Sequence, residues 1–415
     1  MSRQLNSRLP GTDEVLHTAR FLEAYWRERN DTSFDPYDGL ETDRLAFLTR
    51  LPRPAQLAAV QLNKRSPVNL RRIEGVRPTR NAYTVAHFAS AGAILAGLPE
   101  DGSRRSLAAM ADRLEWSCSN RVEAAWAYPF DVQTKTFAYP KTVPNVICTA
   151  FTVEALLDGV RAVAGQPAYA ERARRWRDAA VGAVTWALDN LYVESRGRRY
   201  FGYLPNETLL IHNANVLAAR FVARSGRAFG EESWIETARA CLDVTVREIG
   251  ADGLLPYGEG SRQAWVDGHH TGFVAEALLE VSELLDDAPL RTAADRVRAG
   301  YRRFLFEADG RPLLYPGARW PIDVITGAQG IQTFAGGAGS DVAFAQSIAG
   351  FMLTSMRGRS GTFLYRRGRS HRKAVPYVRW SDAPMCLALA RLASAPAEAQ
   401  GGPVAPAAGT KDLHR

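Results

Sequence analysis

The chain repeats one plan about every 56 residues, and this period constrains its fold more than any other feature. In each repeat a short aromatic and polar stretch leads to one polar residue, and a helical pattern rich in Ala and Leu follows. The polar residues that mark the repeats are Asn81, Asn145, Asn213, Asp267, Asp323 and Arg379. From Asn145 onward the steps are 68, 54, 56 and 56 residues, and Asn81 lies 64 residues before Asn145. Such a period is typical of stacked helical hairpins.

Two kinds of helical pattern alternate along the chain. Those that follow a marker residue, such as VICTAFTVEALLDGV, are short and apolar nearly all round, which is typical of buried helices. Those between the markers, such as ERARRWRDAAVGAVTWALDNLY, have apolar residues every three to four positions and an Arg-rich polar face, which is typical of surface helices. About six pairs of one buried and one exposed helix predict an all-α fold, an (α/α)6 toroid closed on itself.

We predict a single toroid domain over residues 36–393. Residues 1–35 are predicted to form an N-terminal arm with one helix, and residues 394–415, mostly Ala, Pro and Gly, a disordered tail. The N-terminus lacks an apolar signal core and no run of 18 apolar residues occurs, so we predict a cytoplasmic protein with no transmembrane segment. The four cysteines form no CxxC pair and each stands in or beside an apolar run, which favours buried thiols in a reducing compartment.

The formal net charge is +8 at pH 7. The basic runs are scattered, with no RNA- or DNA-binding motif around them, so no nucleic-acid partner is predicted. A net positive charge does suit the binding of an anionic small molecule or an acidic polymer. The chain has neither a Gly-rich phosphate loop nor a GxSxG motif, and no cofactor is predicted. The basic stretch at residues 64–72 is open to two interpretations, an anion-binding cluster or a solvated surface.

The loops that join outer to inner helices of a toroid meet at one end of it, so their aromatic and polar residues should line a common pocket. Aromatic rings with a few placed polar groups suit a sugar, whose C–H faces stack and whose hydroxyls form hydrogen bonds. The catalytic candidates are His212, Tyr257, Glu259, Asp267 and His270. The substrate-binding candidates are Asn213, Trp265, His269, Asp323, Arg379 and Asp382.

The stretch WVDGHHTGF, residues 265–273, places an indole, a carboxylate, two imidazoles and a hydroxyl at the start of an inner helix. His270 is the first candidate for a general acid–base group, because the unperturbed pKa of histidine suits proton transfer at neutral pH. Asp267 is either a helix cap or the group that orients this imidazole. His269 and His270 are adjacent, so their side chains are expected to diverge, and no metal site is predicted.

The other candidates take binding or alternative roles. Tyr257 and Trp265 would stack on a sugar ring. Arg379 would grip a carboxylate, or it would instead cap the C-terminus of a neighbouring helix or pair with Asp382. Two carboxylates from separate loops, drawn from Glu259, Asp267 and Asp323, would suit glycoside hydrolysis.

Several motifs taken together resemble the VpsJ-like proteins of bacterial exopolysaccharide and capsule biosynthesis: YDGL, KRSPVNLRRIEGV, HNANVLAA, WVDGHHTGF and YVRWSDAPM. The resemblance covers residues 34–393 and implies an (α/α) toroid in a polysaccharide context, with contact to other proteins of that biosynthesis. The chain departs from the family pattern D-N-x-H-T-G-F at Gly268 and from the pattern PIDIHS at Ile325, which replaces its histidine. The resemblance carries no established reaction.

The sequence therefore predicts a carbohydrate-active protein that acts on an anionic, uronate-type glycan by epimerisation, elimination or hydrolysis. Whether it is an enzyme stays open, because helix caps and catalytic groups use the same amino acids. One alternative is a non-catalytic glycan-binding or scaffold toroid. Another is an isoprenoid-handling toroid of the terpene-cyclase kind, which the lack of an Asp-rich motif and of an Asp/Cys/His zinc set at the helix starts disfavours.

Overall fold

The computed structural model describes residues 9–66, 68–99, 102–373, 375 and 377–395. The predicted tail beyond residue 395 lies outside these ranges. The helices are α1 (Thr12–Arg27), α2 (Arg53–Arg65), α3 (Arg71–Glu74), α4 (Ala82–Gly97), α5 (Ser103–Ser119), α6 (Val146–Ala162), α7 (Ala170–Asn190), α8 (His212–Phe229), α9 (Glu232–Arg247), α10 (Gly268–Leu285), α11 (Ala288–Leu305), α12 (Val324–Ala335), α13 (Val342–Ser355) and α14 (Asp382–Ala393).

Short antiparallel strands join some of the helices. They are β1 (Thr32–Ser33), β2 (Thr79–Arg80), β3 (Val132–Gln133), β4 (Ala138–Tyr139), β5 (Tyr192–Ser195), β6 (Arg198–Phe201), β7 (Ile322–Asp323), β8 (Arg366–Arg367) and β9 (Arg372–Lys373). β1 pairs with β2, β3 with β4 and β5 with β6, while β7, β8 and β9 form one sheet in that order. These strands shape the loops around one end of the molecule.

Six helices pack side by side in a closed inner ring. Helices α4, α6, α8, α10, α12 and α14 each contact the next, and α14 contacts α4. Helices α5, α7, α9, α11 and α13 each pack on the outside of the inner helix that precedes them. The predicted (α/α)6 toroid is therefore confirmed. None of the helices described is long and apolar enough to cross a membrane.

The sixth outer position belongs to α1, from the opposite end of the chain. This helix packs on α14, where the indole nitrogen of Trp26 donates to Asp382 at 2.9 Å. Arg113 of α5 donates to Glu23 of α1 at 2.6 Å and to Asp31 at 2.8 Å, and all three side chains are buried. The helix that we predicted as part of a separate arm thus packs as a member of the outer ring.

Most marker residues begin an inner helix because their side chains cap it. A capping side chain accepts a hydrogen bond from an amide that the first helical turn leaves free. The capping markers are Asn81, Asn145, Asp267 and Asp323, which accept from the amides of Tyr83, Cys148, His270 and Ile325. Asn213 and Arg379 are not caps, since α8 already begins at His212 and α14 begins only at Asp382.

A network of charged and polar side chains lies inside the ring, roughly one and a half to three turns beyond the starts of the inner helices. Arg220 of α8 donates to Glu154 of α6 at 2.6 and 2.7 Å and lies 3.3 Å from Glu276 of α10. Arg391 of α14 also pairs with Glu276. The further members are Ser90, Asp158, Arg224, Glu280 and Gln329. All six inner helices thus contribute, and the prediction that they are apolar nearly all round is wrong on this inward face.

Candidate active site

A cavity of about 580 Å³ opens at the end of the barrel where the inner helices begin. Its volume lies within the range of about 300–1,000 Å³ that is usual for small-molecule sites. The walls come from the first turns of the inner helices, from the loops before them, and from α2. Eight predicted site residues line it, namely Asn213, Tyr257, Trp265, Asp267, His269, His270, Asp323 and Arg379.

The structure places the other three predicted residues away from this cavity, each with a partner of its own. His212 is buried, with Nδ1 at 3.1 Å from the hydroxyl of Thr245, and burial lowers its pKa to about 4. Glu259 forms a half-exposed ion pair with Arg198 at 2.5 Å. Asp382 is fully buried beneath the site, where it accepts hydrogen bonds from Trp26 and from the amide of Phe363. His212, Glu259 and Asp382 therefore do not line the cavity.

Asp267 and His270 form a hydrogen-bonded pair at the start of α10. Oδ2 of Asp267 lies 2.7 Å from Nδ1 of His270, and Oδ1 accepts from the His270 amide at 2.9 Å. The indole of Trp265 donates to the same Oδ2 at 3.1 Å. Although burial opposes its charge, the His270 ring and these hydrogen bonds hold the pKa of Asp267 well below its ordinary value. The carboxylate is therefore ionised. Because it binds Nδ1 of His270, the other ring nitrogen, Nε2, is the one available to a ligand.

His269 lies beside His270, contrary to the predicted divergence of the two side chains. Their ring centroids are 4.6 Å apart, because His269 packs against Phe273 while His270 turns back to its cap. Burial and then the nearby His270 ring hold the pKa of His269 well below 6.5, so the imidazole is neutral. Its Nε2 is buried and has no hydrogen-bond partner within the part of the chain that the structure describes.

These three residues also have the chemistry of a metal site. One ligand atom from each of Asp267, His269 and His270 lies within 4.8 Å of the others. Imidazole nitrogens and a carboxylate suit Zn²⁺ and related ions. The arrangement also meets every requirement of an acid–base pair, since Asp267 already holds Nδ1 of His270.

Arg379 does not pair with Asp382, which was one of its predicted roles. It donates two hydrogen bonds to Asp35, at 2.5 and 2.8 Å, and both side chains are buried. Its guanidinium stacks on the rings of Tyr128 and Trp380, each at 4.6 Å. Burial opposes the charge, but Asp35 holds the pKa of Arg379 well above its ordinary value. Arg379 thus presents an already neutralised cation to the cavity.

The charge of the cavity wall is predominantly positive. Asp323 caps α12 and pairs with Arg366, so its carboxylate is also neutralised. The carboxylates of the wall are Asp267 and Asp323, and the cationic side chains are Lys64, Lys135, Arg262, Arg366 and Arg379. Lys135 and Arg262 are exposed at the rim, and Nζ of Lys64 lies 2.5 Å from the hydroxyl of Tyr37.

Aromatic rings that were not among the predicted site residues form a large part of the cavity wall. They are Tyr128, Phe130, Phe137, Tyr139 and Tyr203. Phe137 stacks on Tyr203 with centroids 4.4 Å apart, and Tyr128 lies parallel to Phe130 at 5.4 Å. Four of these rings come from the loop between α5 and α6, whose aromatic density in AYPFDVQTKTFAYP was the available signal. Tyr257 also stacks on Trp265 at 4.5 Å.

The absence of a side chain at Gly268 lets α10 begin close to α12. A Cβ there would lie 2.5 Å from Cγ2 of Thr326 and 2.9 Å from the carbonyl oxygen of Leu313. The asparagine that the VpsJ-like pattern has at this position would therefore collide with Thr326. Ile325, which replaces the histidine of the second pattern, lines the cavity.

Solved structures with a similar fold include several proteins that act on sugars. Cellobiose 2-epimerase from Bacillus thermoamylovorans B4167 matches with a TM-score of 0.56 and 11% identity, over 76% of this chain and 89% of that one. A possible member of the GH105 family from Salmonella enterica matches with a TM-score of 0.55 and 12% identity, over 94% and 95%. A GH76 α-mannanase from Bacteroides thetaiotaomicron matches with a TM-score of 0.53 and 11% identity, over 75% and 86%.

At this level of identity the likeness establishes the fold and nothing finer. No protein-family model and no curated protein matches the sequence. The resemblance to the VpsJ-like proteins accordingly stays a prediction.

Proposed function

We propose that the protein is a carbohydrate-active enzyme that moves a proton on an anionic, uronate-type glycan, by epimerisation or elimination. The observation that carries the proposal is the pairing of Asp267 with His270, beside the neutral His269, in one aromatic cavity. Proton transfer needs a base within hydrogen-bond reach of the substrate and a group that stabilises the charge formed.

The roles of the three residues follow from their partners. Nε2 of His270 takes the proton from the ring carbon next to the substrate carboxylate, and Asp267 stabilises the imidazolium that results. His269 is neutral, so in the resting protein it is a hydrogen-bond partner or a proton acceptor and not a proton donor. A proton that solvent water returns to the other face of that carbon completes an epimerisation. Cleavage of the neighbouring C–O bond, with the leaving oxygen taking up a proton from solvent, completes an elimination.

Hydrolysis is the least supported of the three predicted reactions. It needs one carboxyl group that is protonated at neutral pH to release the leaving group. Asp267 is held ionised by His270, Asp323 is neutralised by Arg366, and Glu259 lies outside the cavity. No described carboxyl group of the cavity wall thus meets the requirement.

The substrate class is supported by the charge and composition of the walls. The wall cations that lie outside the arginine–carboxylate pairs are Lys64, Lys135 and Arg262, and they favour an anion. The stacked rings of Tyr257 with Trp265 and of Phe137 with Tyr203 suit the faces of sugars. The sugar-acting proteins among the structural neighbours support action on a sugar, and the VpsJ-like resemblance supports a role in exopolysaccharide or capsule biosynthesis. An isoprenoid would leave the buried Nε2 of His269 without a polar partner.

The test is a proton NMR time course in D2O, with the purified protein and oligosaccharides that contain uronate. Deuterium at a ring carbon identifies an epimerase, and an alkene signal identifies a lyase. New reducing ends would instead identify a hydrolase and overturn the proton-transfer proposal. Broadened substrate lines without chemical change would favour the non-catalytic glycan-binding toroid.

The His270→Ala variant separates catalysis from structure. We expect it to lose turnover while circular dichroism shows that the fold is retained, because the indole of Trp265 and the backbone amide of residue 270 still donate hydrogen bonds to Asp267. Glu259→Gln is the matched control, since Glu259 lies in a neighbouring loop but outside the cavity, and it should retain turnover. Loss of stability with turnover retained in His270→Ala would contradict the assignment of His270 as the base.

A further inference from the structure

Residues 45–73, which we call the mouth segment, contribute one edge of the cavity mouth through their described residues, 45–66 and 68–73. The segment comprises a short 3-10 helix (Ala46–Arg50), α2 and most of α3, and its residues Gln61 and Lys64 line the cavity. Buried polar contacts attach it to the segment after α1 and to the residues before α14. Arg71, fully buried, donates to Asp38 at 2.5 Å and to the hydroxyl of Tyr377 at 2.8 Å.

The mouth segment exposes several large apolar side chains. Eight large apolar side chains are exposed in the described part of the chain, and four of them belong to this segment, namely Phe47, Leu62, Val68 and Ile73. Their exposed fractions range from 56% for Phe47 to 69% for Ile73. Two more of the eight, Trp265 and Tyr315, line the cavity across the mouth. Soluble proteins rarely gather exposed apolar side chains in this way unless the surface meets a partner.

The charge of the mouth segment is uniformly positive. Between residues 45 and 73 there is no Asp or Glu, whereas there are six Arg or Lys. Four of these, Arg50, Arg53, Arg65 and Arg72, are exposed. On α2 the exposed positions Pro54, Ala58 and Leu62 recur every four residues, with Arg53 and Arg65 at the two ends. An apolar helical stripe flanked by basic residues is the pattern of a helix that lies in the headgroup region of an anionic bilayer.

We propose that the mouth segment docks on the surface of an anionic lipid bilayer, with Leu62, Ile73 and Phe47 entering the headgroup region and the arginines contacting lipid phosphates. An acid-free basic segment complements a negative surface, and the aliphatic side chains supply the apolar area that electrostatics alone does not. Docking of this edge, with Trp265 and Tyr315 on the opposite side, turns the cavity mouth toward the membrane. The proposal does not depend on the reaction that the cavity performs.

The test is flotation of the full-length protein with vesicles of phosphatidylcholine alone or of phosphatidylcholine mixed with phosphatidylglycerol. We expect binding to the anionic vesicles only, weakened by salt because charge attraction is screened. The triple variant Arg50→Gln/Arg65→Gln/Arg72→Gln should bind on the order of a hundredfold more weakly, since each basic residue near an anionic surface contributes about fivefold. Leu62→Gln/Ile73→Gln should lose about tenfold or more in affinity through lost apolar burial.

The matched control removes three exposed arginines at the opposite end of the barrel, in Arg104→Gln/Arg161→Gln/Arg174→Gln. This control changes the net charge equally, so an equal loss of vesicle binding would show nonspecific attraction and overturn the proposal. Absence of flotation with anionic vesicles would overturn it too. So would sedimentation that shows a dimer abolished by Leu62→Gln/Ile73→Gln, because the apolar side would then serve a second copy of the chain. Circular dichroism on each variant verifies its fold.

Discussion

Asp35 and Arg379 are 344 positions apart in the chain and form two parallel hydrogen bonds, of 2.5 and 2.8 Å, beside the cavity. The pair connects the segment that follows α1 to the turn that precedes α14, so it joins the two ends of the ring. Both side chains are more than nine-tenths buried. A buried ion pair of this kind contributes less by its attraction than it costs when one partner is removed.

We therefore expect Asp35→Asn to lower the free energy of unfolding by about 3 kcal/mol or more, because the Arg379 charge stays buried without a counter-charge. Urea denaturation followed by circular dichroism measures the change. Asp43→Asn is the control, since Asp43 pairs with Arg77 at the surface. That substitution should change the free energy of unfolding by less than about 1 kcal/mol. Equal effects of the two substitutions would show that the buried pair has no special role.

Asp267→Asn tests whether the carboxylate orients the His270 ring and stabilises the imidazolium form of that ring. The amide oxygen can still cap α10, but it does not stabilise an imidazolium, so we expect a fall in kcat of about 100-fold or more. Asp287→Asn alters a cap in the same way at α11, away from the cavity, and should retain kcat. The ¹⁵N chemical shifts of His270 report the populations of its tautomers. These populations should change in Asp267→Asn and not in Asp287→Asn. An unchanged kcat in that variant would exclude the proposed role.

Trp265 combines two functions that different substitutions can separate. Trp265→Phe keeps an aromatic ring against Tyr257 but removes the 3.1 Å hydrogen bond to Asp267. We expect this variant to lower kcat with little effect on KM. Trp265→Ala removes the ring as well and should raise KM by roughly tenfold or less, the usual worth of an aromatic contact. Steady-state kinetics on the substrate found by NMR measures both, and an identical effect of the two variants on KM would contradict a stacking role.

The raised pKa of Asp382 predicts that the free energy of unfolding depends on pH. Burial raises its pKa from 3.8 to about 7, against the opposing hydrogen bonds from Phe363 and Trp26. The folded protein thus keeps a proton that the unfolded chain releases near pH 3.8, so this residue's contribution to the free energy of unfolding falls as the pH rises from about 4 to about 7. Asp382→Asn lacks this titration. Urea denaturation at pH 5 and 7 should therefore show a larger loss of stability between the two for the unsubstituted protein, and parallel losses would contradict the raised pKa.

The fold and part of the site were predictable because the signals that encode them are local. Asn145 and Asp267 cap helices through contacts with residues three positions ahead, and the repeat of such caps predicts the ring. The pairing of Arg379 with Asp35 joins segments that no local pattern connects. The orientation of His269 toward His270 depends on packing against Phe273. The inward charges of Glu154 and Arg220 neutralise each other, and only the assembled ring shows that they can be buried.

The charged network inside the ring has a consequence for the way a polymer can be used. Arg220, Glu154 and Glu276 come from three neighbouring inner helices and form ion pairs inside the ring, about two turns beyond the helix starts at which the cavity opens. A sugar chain that passed along the barrel axis would have to separate these ion pairs, so we expect a substrate to enter and leave by the same mouth. If the substrate is a polymer, we therefore expect it to be released after each encounter and not to be drawn through the barrel.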